Sequence, residues 1–84
     1  MKRTELLSRV VRDQSNIRFR DFLDLAQGFG FEVSRARGSH HILKHPNTRE
    51  LLNLQNVKGE AKPYQVRQLL RLVEKYSLIL EDKR

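Results

Sequence analysis

Apolar residues recur at helical spacing in three stretches of this chain and alternate with polar ones between the second and the third. Within residues 4–13, Leu6, Leu7, Val10 and Val11 fall on one helical face. Thr4 is placed as the N-cap, and Glu5 lies in the first turn, where a negative charge suits the helix dipole. Asp13-Gln14-Ser15-Asn16 reads as a connector, because Asp, Ser and Asn side chains compete for nearby backbone hydrogen bonds. From Arg18 to Phe29, Phe19, Phe22, Leu23, Ala26 and Phe29 recur at steps of three and four, with Arg18, Arg20, Asp21, Asp24 and Gln27 on the other side. An amphipathic helix results, and Gly28 or Gly30 supplies its left-handed cap. Phe19, Phe22 and Phe29 read as core rather than as base-stacking platforms, which are usually displayed on sheets and loops. The third stretch begins at Pro63, suited to a helix N1 position, and carries Val66, Leu69, Leu70, Val73 and Tyr76 on one face.

Three short strands are expected between the second and third helices. Phe31 to Ala36 begins with alternation, His40 to Lys44 contains Ile42 and Leu43, and Leu51 to Leu54 resumes after Pro46-Asn47-Thr48. Gly38-Ser39 between the first two is a tight-turn signal, since glycine takes positive φ without a Cβ clash. The predicted fold is α+β: a three-stranded antiparallel sheet in α-β-β-β-α order, helices on one face and the other face open, with an added N-terminal helix. A single domain spans residues 1–84, divided into an N-terminal extension of residues 1–16 and a core of residues 17–80.

Composition narrows the function. Eighty-four residues leave too little interior for a large dry pocket, so a broad substrate must be met on a surface. Seventeen Lys and Arg against ten Asp and Glu give a net charge of +7, a field that attracts polyanions, nucleic acid first among them. The chain has no cysteine, which removes disulfides, thiolate metal sites and thiol redox chemistry. Its first ten residues lack the apolar core of a signal peptide and no run is long enough to span a bilayer, so a soluble cytoplasmic protein is expected.

All three histidines fall within Arg35-Ala36-Arg37-Gly38-Ser39-His40-His41-Ile42-Leu43-Lys44-His45-Pro46. His41 and His45 have the i, i+4 spacing of helical zinc motifs. On a strand, however, four residues span roughly 13 Å, whereas two nitrogens on one zinc lie within about 4 Å. No metal and no cofactor are therefore expected. Neighbours on a strand face opposite ways, so His40 and His41 cannot serve one substrate together. With Ile42 and Leu43 both apolar, the pattern leaves open which of the two faces the helices.

The run Gly38-Ser39-His40-His41-Ile42-Leu43-Lys44-His45-Pro46, between a helix ending at Gly30-Phe31 and a strand followed by a helix, resembles the HicA family over roughly residues 17 to 80. That resemblance implies a small bacterial toxin with a double-stranded-RNA-binding-domain-like fold. It further implies cleavage of mRNA by the histidine of a Gly-Ser-His motif, and neutralisation by a HicB-like antitoxin that covers the active surface. It selects His40 as the catalytic residue, with His41 as the fallback; His45, just before Pro46, reads as a turn or phosphate-contact residue rather than a base. HicA-like sequences often carry a proline and a second histidine after the third strand, where this chain reads Leu54-Gln55-Asn56-Val57-Lys58-Gly59.

Histidine suits such chemistry because it exchanges a proton near neutral pH, and RNA carries its own nucleophile in the 2′-hydroxyl. Arg35, Arg37, Gly38, Ser39 and Lys44 around the turn form the expected RNA contact, with Arg37 and Lys44 set to neutralise the phosphate or, equally, to be solvated surface charge. Arg67, Arg71 and Lys75, at steps of four on the last helix, form a basic stripe that could track a phosphate backbone, receive an acidic antitoxin segment, or be only a solvated face. The alternative to an endoribonuclease is a non-catalytic RNA-binding module, and behind it a DNA-binding or purely protein-binding domain.

Overall fold

The computed structural model describes residues 2–81; Met1 and residues 82–84, the ends of the expected domain, lie outside the described residues. The element order is α1 (Arg3–Arg12), β1 (Ile17–Arg18), α2 (Phe19–Gly28), β2 (Glu32–Arg37), β3 (His40–Lys44), β4 (Leu52–Gln55), β5 (Glu60–Ala61) and α3 (Pro63–Tyr76). The expected α+β architecture is present: β2, β3 and β4 form an antiparallel sheet in that order. A second two-stranded ladder of β1 and β5, not expected, pairs Ile17 with Ala61 and Arg18 with Glu60. Two residues per strand are too few to show a period of two, so no pattern in the sequence announces it.

This small ladder holds the start of α2. The N–H groups of a helix's first turn have no partner inside the helix, and Phe19 N–H donates to Gly59 C=O at 2.8 Å. Gly59 in turn belongs to a tight reversal in which Val57 and Glu60 exchange both backbone hydrogen bonds at 3.0 Å and Asn56 Oδ1 accepts from Gly59 N–H at 2.7 Å.

One apolar core joins the elements. Leu43, Leu52 and Leu54 of the sheet meet Phe22, Leu25 and Ala26 of α2 and Val66, Leu69 and Leu72 of α3, and all of these are buried. Burial of each large side chain of this kind stabilises the fold by about 1.5–3 kcal/mol. α1 adds Leu6 and Val10 to the same core, while Val11, expected on that face, is 60% exposed. Its N-cap is Lys2 rather than Thr4, which lies in the first turn, and Glu5 accepts the Lys2 N–H at 3.2 Å. α1 is also tied down electrostatically. Arg3 grips Asp24 of α2 through two nitrogens, at 3.1 and 2.9 Å, and donates to Glu81 C=O at 2.7 Å, so both ends of the described chain meet at α2.

α2 ends in a Schellman turn: Gly30 N–H donates to Gln27 C=O at 2.9 Å and Phe31 N–H to Ala26 C=O at 3.2 Å. Gly30 has φ +102, and a Cβ there would lie 2.6 Å from Nε2 of His45. The imidazole of His45 fills the space above the glycine. Its Nδ1 accepts from Asn47 N–H at 3.0 Å, which leaves the proton on Nε2, and Nε2 donates to Phe29 C=O at 2.9 Å. The ring also meets Phe31 edge-on at 5.1 Å. His45 is thus the turn residue of the two roles expected for it, clasping the end of α2 to the end of β3.

The loop after β3 is fastened to α3. Lys75 Nζ contacts Glu50 Oε2 at 2.7 Å, the Tyr76 hydroxyl donates to the other carboxylate oxygen, and Arg49 N–H donates to the Tyr76 oxygen at 3.4 Å. The Lys75 ammonium first, and then the Tyr76 hydroxyl, hold the Glu50 carboxyl down from 4.5 to about 2. Among the described residues no helix is long and apolar enough to cross a membrane.

Two outcomes follow from these clasps. Gly30→Ala should cost about 2 kcal/mol or more in urea unfolding, because it combines positive-φ strain with displacement of a hydrogen-bonded ring. In a His45→Ala background the same change should cost measurably less, and additive costs would show that the ring and the glycine are not coupled. For Glu50, a carboxyl depressed in the folded state contributes stability that is present above its ordinary value and lost as pH falls towards the folded one. Unfolding midpoints should therefore fall between pH 4.5 and about 2 more steeply for the wild type than for Glu50→Gln.

Candidate active site on the open sheet face

The period of two decides which histidine meets solvent. Leu43 is fully buried, so His41, two residues before it, shares the inner face, and His40, Ile42 and Lys44 share the outer one. His41 packs its ring 5.0 Å from that of Phe19, and its Nδ1 is buried without a hydrogen-bond partner. It is part of the packing between sheet and α2. His40 is exposed at the first position of β3.

The turn before it has the form expected. Gly38 has φ +58 and Ser39 a negative φ, the pattern of a II′ hairpin, and Arg37 pairs directly with His40 across it. A Cβ at Gly38 would meet nothing within 4 Å, so its backbone angle alone calls for glycine. Ser39 contributes its C=O, which accepts from Asn56 N–H at 2.8 Å and ties the turn to the chain leaving β4.

β2 carries a bulge that determines which cations reach His40. Val33 pairs with Leu43 and Arg35 with Ile42, leaving Ser34 as the extra residue. Without it, simple alternation would put Arg35 and Arg37 on the same inner side as Val33. With it, both guanidinium groups join the outer face, Arg37 opposite His40 and Arg35 opposite Ile42. Arg35, Arg37, His40 and Ile42 line a shallow depression of about 220 Å³ that holds two cationic side chains, one imidazole and no carboxylate. Two other hollows have different linings. One of about 330 Å³ is bordered by Ser15, Asn16 and the β5 turn, and one of about 390 Å³ by Glu32, Lys44, His45 and Pro46.

Not every expected contact residue joins the site. Lys44 shares the outer face but lies four residues beyond His40, roughly 13 Å along the strand, and pairs in register with Glu32. Arg67 and Arg71 are exposed on α3, on the side away from Val66, Leu69 and Leu72, while α3 packs on the inner face of the sheet. They therefore lie on the other side of the molecule from His40. Lys75 of the same stripe is engaged by Glu50, which holds its ammonium above the usual lysine range. The reading from sequence alone also left out Ile42, Asn53 and Gln55 of the outer face. Their signal is the β3–β4 register, Ile42 with Asn53 and His40 with Gln55, which a seven-residue connection does not fix.

A family model described as the HicA toxin of bacterial toxin-antitoxin systems matches residues 19–74. Comparison with curated proteins and with solved structures returns no match. The matched span runs from the first residue of α2 into the last turn of α3, and so takes in the whole three-stranded sheet, the Gly38-Ser39 turn and His40. With the family model covering more than half of the chain, this protein belongs to the HicA family, the toxin component of a bacterial toxin-antitoxin pair.

Proposed function

We propose that the protein is a metal-independent endoribonuclease of the cytoplasm that cleaves mRNA at the open sheet face, with His40 as its catalytic base and a HicB-like antitoxin as its inhibitor. The observation that carries the reading is the placement of one exposed imidazole beside two guanidinium groups of the neighbouring strand, in a depression whose lining has no carboxylate. RNA presents a 2′-hydroxyl next to each phosphodiester. His40 takes the hydroxyl proton, the 2′-oxygen bonds to phosphorus, and the bond from phosphorus to the 5′-oxygen breaks. The leaving oxygen takes its proton from water at the open face. The Arg37 and Arg35 guanidiniums neutralise the charge that develops on the phosphate oxygens.

His41 is the weaker choice of base, since its ring is committed to Phe19. A HicB-like partner that covers the outer face would have to meet the same cations, so an acidic surface suits it.

Incubation with RNA in chelator tests the chemistry. The wild type should cut, leaving a cyclic or 3′-phosphate and a free 5′-hydroxyl. A folded His40→Ala protein should be slower by about 10²- to 10⁴-fold, and deoxyribose at the cleaved position should resist cutting. Full activity in His40→Ala, 5′-phosphate ends, or activity restored only by magnesium would each sink the histidine mechanism.

Charge placement yields a separate outcome. Affinity for RNA should fall with salt by a slope of roughly −0.7 per neutralised phosphate of a single strand. Charge reversal of Arg35 and Arg37 should flatten that slope, while reversal of Arg67 and Arg71 should leave it unchanged. Equal effects of the two pairs, measured by fluorescence anisotropy, would mean that RNA also follows α3.

A further inference from the structure

The outer face of the sheet repeats one arrangement twice. Across the three strands, Arg37, His40 and Gln55 form one row and Arg35, Ile42 and Asn53 form the next. Each row has a guanidinium on β2 and a carboxamide on β4, with one different side chain between them on β3. Strands lie about 4.8 Å apart, so a row spans roughly 10 Å, and the rows are two residues apart along the strands, roughly 6.6 Å. Asn53 is exposed and Gln55 half-buried, and among the described residues the side-chain amide of neither makes a hydrogen bond within the protein.

We propose that each row receives one nucleotide of a single-stranded RNA, with its phosphate on the arginine and its base on the carboxamide, and that Asn53 and Gln55 thereby select the sequence that is cut. This rests on the endoribonuclease reading of the same face and extends it from RNA in general to unpaired RNA. The order of groups within a nucleotide is phosphate, ribose, base, and the order within the first row is Arg37, His40, Gln55. The middle position is the ribose, which sets His40 beside the 2′-hydroxyl it deprotonates. In the second row Ile42 occupies that position and supplies apolar contact without proton transfer, so cleavage is confined to one of the two bound nucleotides.

The carboxamides specify an unpaired strand. Asn and Gln each offer a donor and an acceptor side by side, the pattern that reads base edges, whereas they add little to phosphate binding. In an A-form duplex the Watson–Crick edges are paired and the major-groove edges lie too deep for side chains, which leaves only the shallow minor groove, recognised mostly by its shape, 2′-hydroxyls and phosphates. An unpaired base turned towards the sheet exposes its hydrogen-bonding edge to β4. The guanidinium pair on β2 matches the negative backbone running along the opposite margin.

The test uses the full chain carrying His40→Ala, so that RNA survives the measurement, and fluorescein-labelled 8-mers that differ at two adjacent positions, together with a duplex of the same sequence. Anisotropy should show single strands bound at least tenfold tighter than the duplex, with a preference among bases of roughly tenfold at one or both varied positions. Asn53→Ala with Gln55→Ala should erase the base preference while binding stays salt-dependent. Arg35→Ala with Arg37→Ala should weaken all sequences alike. Circular dichroism confirms that each variant is folded, and Gln55→Glu, which keeps the side chain's size but cannot donate, should change which base is preferred rather than merely lower affinity. Duplex binding as tight as that of single strands, or a base preference that survives loss of both carboxamides, would overturn the proposal. The two readings separate cleanly: an amide-dependent preference in a protein whose wild type cuts no RNA supports the rows and removes the nuclease, and cutting without that preference does the reverse.

Discussion

Everything at the outer face depends on the pleat of β3. Five residues alternate sides, and Leu43 is drawn wholly into the core that the sheet shares with α2 and α3. A slip of one residue would expose Leu43 and bury Lys44, exchanging about 1.5–3 kcal/mol of apolar burial for the larger cost of a buried ammonium. His41 is carried inward with Leu43, and His40 and Ile42 are carried outward. The contact of His41 with Phe19 then ties this register to the first residue of α2, itself held by the β1–β5 ladder through Gly59.

Three histidines within six residues consequently have three environments. His40 stands in solvent beside cations, where its ring is open to a bound molecule. His41 lies against an aromatic ring with one nitrogen buried and without a hydrogen-bond partner among the described residues. His45 has both ring nitrogens bonded to backbone and fixes the join between α2 and β3. Residue type is constant across the three, and the strand's period together with neighbouring backbone separates their roles.

Charge divides in a similar way. The excess of lysine and arginine over acidic residues is spread over both sides of the molecule. Arg35 and Arg37 stand at the depression with His40, Lys75 is engaged by Glu50, and Arg3 by Asp24. Arg67 and Arg71 face solvent from α3 on the opposite side.

The helices were legible in the sequence because each repeats its apolar spacing over ten or more residues; Gly30 and the Gly38-Ser39 turn also stood out, since each needs a backbone angle that few residues adopt, and Pro63 because its fixed φ suits a helix start. The Gly-Ser-His run pointed to His40 by resemblance, before any geometry. What the chain could not announce locally depends on contacts between distant residues. The β1–β5 ladder joins segments more than forty residues apart, each too short to show a period. The bulge at Ser34 reverses the alternation that Val33 begins and brings Arg35 and Arg37 to the side of His40. Asn53 and Gln55 take their places through a register set by core packing rather than by their connecting loop. Composition and periodicity therefore determined a basic α+β domain with a histidine at a hairpin, and only the tertiary structure decided which side chains stand beside that histidine, because the face on which a strand residue lies is settled by what its neighbours bury.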